Sequence, residues 1–335
     1  ITITVLGIND APVAQDDVGV IAEGSTLTVA NSANANVSGS YDATGEHSGD
    51  VIDTSSSSHT DSDADASSSL SITHIKLSGG SNSTVASSSS YNSNGTSITG
   101  TYGTITIGAD GSYTYAATTD ATNALDAGES ATDTFVYTLS DGTAITTANL
   151  TITVLGANDA PVAQNDVGVI AEDSTLTVSD GADANETGGS YNATGEHSGD
   201  VIDSSNTSTR DTDVDIETLT VTAVRLGSSE GTGTAGSVGS ALTGTYGELT
   251  LNSNGSYTYV ANQTDADALD AGDLVTDSFN YTVSDGTATD TAVITITVLG
   301  INDTPTAQND VGVIVEDGTL TVTNGANATL DGSYD

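Results

Sequence analysis

Apolar and polar residues alternate through residues 1–7, Ile-Thr-Ile-Thr-Val-Leu-Gly, the period-2 pattern of a half-buried strand. VGVIAEGSTLTV at 18–29 predicts a first strand with a break near Gly24, and LSITHIKL at 70–77 predicts another. TYGTITIGADGSYTYA at 101–116 reads as two strands around Asp110-Gly111, a dipeptide that favours tight hairpins. Residues 131–142 and 144–156 read as two last strands joined at Asp141-Gly142, and 120–130 as an acidic turn or one helical turn. The Ser/Gly-rich segment 78–100 reads as a loop without architectural weight, five residues longer than its counterpart between Leu226 and Thr245.

The pattern repeats. Residues 1–23 return at 150–172 and 294–316, with Ile3, Ile152 and Ile296 setting spacings of 149 and 144. A period that long, with several strands inside it, means tandem domains and not a solenoid. The expected division is 1–10 as the last strand of a preceding repeat, 11–159 and 160–303 as whole repeats, and 304–335 as the start of another. About seven strands per repeat, with turns at regular spacing and hairpin neighbours, predict an all-β fold of tandem antiparallel β-sandwiches, immunoglobulin-like in type. The expected core includes Val20, Leu27, Ile72, Tyr102, Ile105, Ile107, Tyr113, Tyr115, Phe135, Tyr137, Ile152 and Val154.

Charge narrows the function. The 335 residues carry 46 acidic and 3 basic side chains (Lys76, Arg210, Arg225), a formal charge of −43. Phosphate binding needs Lys and Arg, so nucleic acid is excluded as a partner, and so is an anionic membrane surface. The acids divide into 36 Asp and 10 Glu. Salt adaptation raises both residues, whereas Asp excess fits tight turns and cation loops. No Cys is present, so disulfides and thiol chemistry are out, and no apolar run is long enough to span a membrane.

Asp61-x-Asp63-x-Asp65 and Asp211-x-Asp213-x-Asp215 supply oxygens on alternate residues, suited to a loop around Ca²⁺, although the full EF-hand pattern is absent. The first strand leaves the joint and crosses the domain, which puts Glu23 and the Asp61–Asp65 loop at the far pole, where the last strand delivers Asn158 and Asp159. Glu23, Asp61, Asp63, Asp65, Asn158 and Asp159 would then form one cation cluster, with Glu172, Asp211, Asp213, Asp215, Asn302 and Asp303 at the next joint. Asn9 and Asp10 at the first joint and Glu316 in the last segment extend the series. Like charges this dense repel without a metal. Asp16 and Asp17 are substitutes for the same role, and Pro12 makes the joint short and stiff. Asp126, Glu129 and Asp133, with Asp270, Asp273 and Asp277, read first as turn caps.

Other chemistry is thin. TGEHSGDVID at 44–53 is identical to 194–203, but one His per repeat is too few for zinc, and a Ser-His-Asp triad lacks a nucleophile elbow. An intramolecular Lys–Asn crosslink would need a Lys in every repeat, and Arg225 replaces Lys76. Rows of Thr follow from β-propensity without an ice- or carbohydrate-binding role. No enzyme is expected.

GTYGELTLNSNGSYTYVANQ…ALDAGDLVTDSFNYTVSDGTATDTAVITITVLGIND, from 244 to 303, resembles the VCBS-type repeats of giant bacterial surface adhesins of RTX type, within the wider group of bacterial cadherin-like and immunoglobulin-like tandem domains. GSYTY, LDAG, the F-x-Y-T-[VL]-S-D-G strand and the Asn-Asp-Ala-Pro joint carry the resemblance over most of each repeat, and Asp211-Thr-Asp213-Val-Asp215 followed by LTV fits it too. The first repeat departs at DSDADASSSLSI, where one extra residue separates the acids from the strand, and segments 30–60 and 179–210 look inserted. The resemblance implies an extracellular extender module that holds an adhesive tip away from the cell or builds biofilm matrix, stiffened by calcium. Its partners would be neighbouring repeats. Two alternatives stand beside it: a self-assembling filament or surface-layer subunit using strand addition between copies, and a glycan-binding module using the 44–53 and 194–203 segments.

Overall fold

The computed structural model describes residues 2–4, 6–32, 34–36, 47–52, 59–65, 69–182, 197–202, 209–215 and 218–325. The first repeat contains β1 (Asp17–Ala22), β2 (Thr26–Val29), β3 (Asn34–Asn36), β4 (His47–Gly49), β5 (Ser71–Leu77), β6 (Ser83–Thr84), β7 (Thr96–Thr99), β8 (Thr104–Ile107), β9 (Tyr113–Ala116), α1 (Asp120–Asn123), β10 (Ser130–Ser140) and β11 (Ile145–Leu155). The second contains β12 (Asp166–Ala171), β13 (Thr175–Val178), β14 (Thr220–Leu226), β15 (Thr234–Ala235), β16 (Ala241–Thr243), β17 (Glu248–Leu251), β18 (Tyr257–Val260), β19 (Leu274–Ser284) and β20 (Thr289–Leu299). One sheet of the first sandwich runs β1-β11-β10-β5-β6 and faces β2-β9-β8-β7; in the second, β12-β20-β19-β14-β15 faces β13-β18-β17-β16. The fold is therefore all-β, in two sandwiches.

Most pairings are antiparallel, but β1 lies parallel to β11, with Asp17 opposite Leu150 and Ala22 opposite Leu155, and β12 lies parallel to β20 in the same way. This departs from the expectation of hairpin neighbours throughout. The cause is at Gly24. Its φ of +66° is left-handed, a region open to glycine at little cost, and in the second repeat Asp173 takes the same conformation at +59°. The chain does not merely break there; it turns back. Strand β1 climbs beside β11, whereas β2 descends beside β9 in the opposite sheet, with Thr26 opposite Ala116 and Val29 opposite Tyr113. The segment read as one crossing strand crosses twice.

The inward face of β1 also differs. Asp17, Gly19 and Ile21 point in, while Val20, expected in the core, is half-buried. A Cβ on Gly19 would lie 2.7 Å from Ile152 Cδ1 and 3.0 Å from Leu27 Cδ2, so a larger residue there would have to displace these core side chains. Tyr102 is half-buried at the rim; the other expected core residues are buried, and Tyr115 meets Phe135 edge-on at a centroid distance of 6.2 Å. The Ser/Gly-rich segment 78–100 is not a bare loop: it carries β6 and β7 at the sheet edges and sends Val85 into the core.

The residues of 44–53 that are described are built into the fold. Val51 is buried in the core, and its N–H donates to Gly111 O at 3.1 Å. Ser48 Oγ donates to Asp17 Oδ1 at 2.8 Å, and Asp50 accepts the Ser32 and Ile52 N–H groups. This corrects the reading of that stretch as a glycan-contacting loop for residues 48–52. The rest of it, Thr44, Gly45, Glu46 and Asp53, lies outside the described residues. Residues 2–4 and 6–7 form no strand, and Ile3 and Leu6 are 80% and 85% exposed. The same sequence is a strand at 150–155, where β1 and β10 flank it; among the described residues no strand pairs with 2–4 or 6–7. Residues 304–325 likewise form turns and no strand.

Asp17, the first residue of β1, faces inward and takes hydrogen bonds from Ser48 and from the Tyr137 hydroxyl at 2.7 Å, with Asp61 and Asp50 nearby. Burial pushes its carboxyl from 3.8 up to about 7, and burial does the same to Asp166 beneath Ser198 and Tyr281. Between those values the folded protein holds protons that the unfolded chain has released, so stability falls as pH rises from about 4 through about 7. Each group accounts for on the order of a few kcal/mol across that window. Urea melts of Asp17→Asn and Asp166→Asn in EDTA should show a flatter dependence than the parent; an unchanged slope would contradict the assignment.

Candidate metal centre at the inter-repeat joint

The reversal at Gly24 decides which acids meet. Glu23 stands at the far pole of the first repeat, where its N–H donates to Leu155 O at 2.9 Å. By residue 30 the chain is back at the near pole, so the Asp61–Asp65 loop stays there. Val13 and Ser62 exchange backbone hydrogen bonds of 2.8 and 3.0 Å, the Gln15 N–H donates to Asp61 Oδ1, and the Asp10 N–H donates to Asp65 Oδ2 at 2.8 Å. Asp61, Asp63 and Asp65 therefore group with Asn9 and Asp10, not with Asn158 and Asp159. In the second repeat Val162 and Thr212 are stapled alike, and the Asp159 N–H donates to Asp215 Oδ2 at 2.7 Å. Asp211, Asp213 and Asp215 belong to Asn158 and Asp159, not to Asn302 and Asp303. The expected pairing of loops with joints is wrong by one repeat because one strand was counted where there are two.

At the middle joint Glu23 of the first repeat meets Asp159 and Asp215 of the second. Burial, then the charges of Asp159 and Asp215, hold the Glu23 carboxyl above its ordinary value, against the pull of the Ala157 N–H. Burial, then Asp215 and Asp213, raise Asp159. The chain changes hands here within one residue. The Gly156 N–H donates to Glu129 O and the Ala157 N–H to Glu23, both in the first repeat. The Asn158 amide then donates to Asp285 Oδ2 at 2.9 Å and the Asp159 N–H to Asp215, both in the second.

One pattern recurs in these acids. Glu23, Asp63, Glu172, Asp213 and Asp215 each accept a backbone N–H with one oxygen and keep the other buried without a partner. Asp213 Oδ1 accepts the Asp215 N–H and its Oδ2 stays free; Asp215 Oδ2 accepts the Asp159 N–H and its Oδ1 stays free. Asp63 gives Oδ1 to the Asp65 N–H and leaves Oδ2. Glu23 keeps Oε2, and Glu172, 0% exposed, gives Oε1 to the Ile301 N–H at 2.5 Å and keeps Oε2. An orphaned buried carboxylate oxygen is costly, and a hard cation is its natural complement. Among the described residues no three or more His, Cys, Asp or Glu side chains converge as a ready-made metal cage. Asn302 and Asp303 lie beyond Glu172 on an exposed segment, and Glu316 lies in exposed turns.

The remaining acidic candidates are structural. Asp61 and Asp211 face inward: Asp211 accepts from the Gln164 N–H at 2.7 Å, and burial raises its carboxyl to about 8. Asp16 caps the Asn149 N–H, and Asp17 is committed to Ser48 and Tyr137, so neither substitutes at the joint. Asp133 collects the N–H groups of Thr101, Tyr102 and Gly103 and the Tyr115 hydroxyl, and Asp277 does the same with Thr245, Tyr246, Gly247 and Tyr259. These two are turn caps. What the sequence reading missed is Asp285, with its counterpart Asp141, which anchors the joint asparagine; the recurring Ser-Asp-Gly-Thr turn was the available signal.

The bacterial cadherin-like domain matches residues 9–156 and again 158–300. The chain belongs to this family. Its members are typically non-enzymatic and extracellular and associate with neighbouring domains or with copies. No helix among the described residues is long and apolar enough to cross a membrane. No curated protein matches the chain. Among solved structures, mouse clustered PcdhgC3 EC1-3 is 13% identical over 88% of this chain and 69% of its own, with a TM-score of 0.32. Protocadherin Gamma B7 extracellular cadherin domains 1-4 are 11% identical over 88% and 53%, at 0.33. The endo-fucoidan hydrolase MfFcnA4 from glycoside hydrolase family 107 is 15% identical over 87% of this chain, at 0.23, and the chain spans 29% of that enzyme's length. The family match, and not these distant likenesses, carries the assignment.

Removing the cap separates its structural role from any role at the joint. Asp277→Ala leaves three backbone N–H groups and the Tyr259 hydroxyl without their acceptor, and should cost about 3 kcal/mol or more. Denaturant melts should show that loss equally with calcium and with EDTA.

Proposed function

We propose that this cadherin-like chain is part of an extracellular stalk, of the kind built from VCBS-type repeats in bacterial adhesins, whose tandem sandwiches are stiffened by Ca²⁺ at each joint. The units are 11–159 and 160–303. The observation that carries this reading is the middle joint, where Glu23 Oε2 from one repeat and Asp213 Oδ2 and Asp215 Oδ1 from the next are buried without partners. Glu23, Asp159, Asp213 and Asp215 would hold the ion there, with Glu172 in the same role at the next joint and Asp63 and Asp65 at the first. Calcium takes several oxygen ligands and neutralises the charge they concentrate. The residues do the rest: the backbone donors orient each carboxylate, and the one-residue handover at Ala157–Asn158 keeps the two repeats within reach of a shared ion. A chain with 46 acids and 3 bases has few cations of its own to offer these oxygens. Adhesion or matrix building follows from a long, stiff, disulfide-free array.

Calcium at about a hundred times its Kd should stabilise the fold by roughly 2.7 kcal/mol over EDTA. Glu23→Gln and Asp215→Asn should each remove most of that gain while leaving the melting temperature in EDTA close to the parent's. Spin labels at Thr143→Cys and Thr287→Cys, unique because the chain lacks cysteine, should give an inter-repeat distance distribution that narrows with calcium. Equal melting temperatures and equal widths in calcium and EDTA would reject the joint.

A further inference from the structure

Strands β1 and β11 are parallel, and the chain enters the repeat at the start of one and leaves at the end of the other. Tension along the chain therefore pulls β1 toward the near pole and β11 toward the far pole. The two strands are loaded in opposite directions along their common axis, which is shear. Every backbone bond from Asp17–Leu150 to Ala22–Leu155 must yield together, because none can be peeled first. We propose that this parallel ladder, with its copy between β12 and β20, is the load-bearing element that sets the mechanical strength of each repeat.

Three further observations place strength at this seam. Asp16 Oδ1 accepts the Asn149 N–H at 2.8 Å just ahead of the ladder, and the Glu23 N–H donates to Leu155 O at 2.9 Å just beyond it, so the seam is extended at both ends. Strand β1 is pinned from inside by Asp17, whose carboxyl joins Tyr137 on β10 to Ser48 on β4. Gly19 brings β1 against Ile152, and Ile21 beside it is fully buried. The second repeat reproduces each feature: Asn165 Oδ1 accepts the Val293 N–H at 2.8 Å, the Glu172 N–H donates to Leu299 O, Asp166 joins Tyr281 to Ser198, and Gly168 abuts Ile296. Strand β11 is in turn held by β10 along 11 residue pairs, so β1, at the edge of the sheet, bears on a strand fixed on its other side. The inference takes from the proposed stalk role only that tension runs along the chain.

Single-molecule pulling on the full chain tests it. All measurements are made in EDTA, so that failure of the calcium joint leaves this outcome untouched. Handles at the chain ends load the ladder in shear. Handles at Ala11→Cys and Thr143→Cys, both at the near pole, load the first repeat so that β1 and β11 are unzipped pair by pair. Forced unfolding is governed by the unfolding rate, so the shear geometry should require roughly twofold more force or greater at equal loading rate. A second arm uses Ile107→Ala with Leu251→Ala, core truncations in the opposite sheets, away from the seam. These should lower the melting temperature while leaving end-to-end force within about a fifth of the parent. Equal forces in the two pulling directions, or a force that falls in step with melting temperature, would overturn the proposal.

Discussion

A folded chain must give every buried carboxylate something to bind, and this one has 46 acids against 3 bases. Side-chain ion pairs cannot meet that demand, so the fold meets it in three other ways. Asp133 and Asp277 are surrounded by backbone N–H groups and a tyrosine hydroxyl, and they close the turn before β8 and its counterpart before β17. Asp17 and Asp166 take a serine and a tyrosine hydroxyl and keep a proton up to about pH 7. Glu23, Asp63, Glu172, Asp213 and Asp215 at the joints take one backbone donor each and leave one oxygen over. Only this third class has a need that the chain does not satisfy from within, and that separates a site from a surface charge.

Much of the fold was legible because its signals are local. Alternation located β5, β10 and β11 to within a residue or two, and Asp110-Gly111 and Asp141-Gly142 marked hairpins because glycine supplies the positive φ those turns require. The inward face of β1 was not legible, because a buried Asp and Gly read as outward positions on any hydrophobicity pattern. Nor were β6 and β7, whose Ser- and Thr-rich sequences look like linker and become edge strands only when β5 and β8 lie beside them. The structural work of residues 48–52 was hidden for the same reason: Ser48 and Asp50 have partners more than 15 residues away.

The joint shows how one local misreading spreads. Gly24 was recognised as a break, but a break and a reversal look alike in sequence, since both ask for a flexible or left-handed residue. Whether the chain crosses once or twice then decides the pole at which the next loop emerges. The residue types of the candidate site could be read directly. Which repeat supplies which ligand could not, because that is a property of topology and not of composition.

The same reversal ties the joint to the seam. Because β1 ends at Ala22 and the chain then turns back, Glu23 lies just past the end of the parallel ladder and against the linker at once, with its N–H on Leu155 and its carboxylate on the Ala157 N–H. A residue that only filled the turn could occupy one of these places but not both. Bending of one repeat against the next must therefore pass through a residue fixed by the ladder, and pull on the linker reaches the ladder through the same residue. Stiffness between repeats and strength within a repeat are then set at adjacent atoms, so a substitution at Glu23 acts on the joint through its side chain while its backbone continues to carry load.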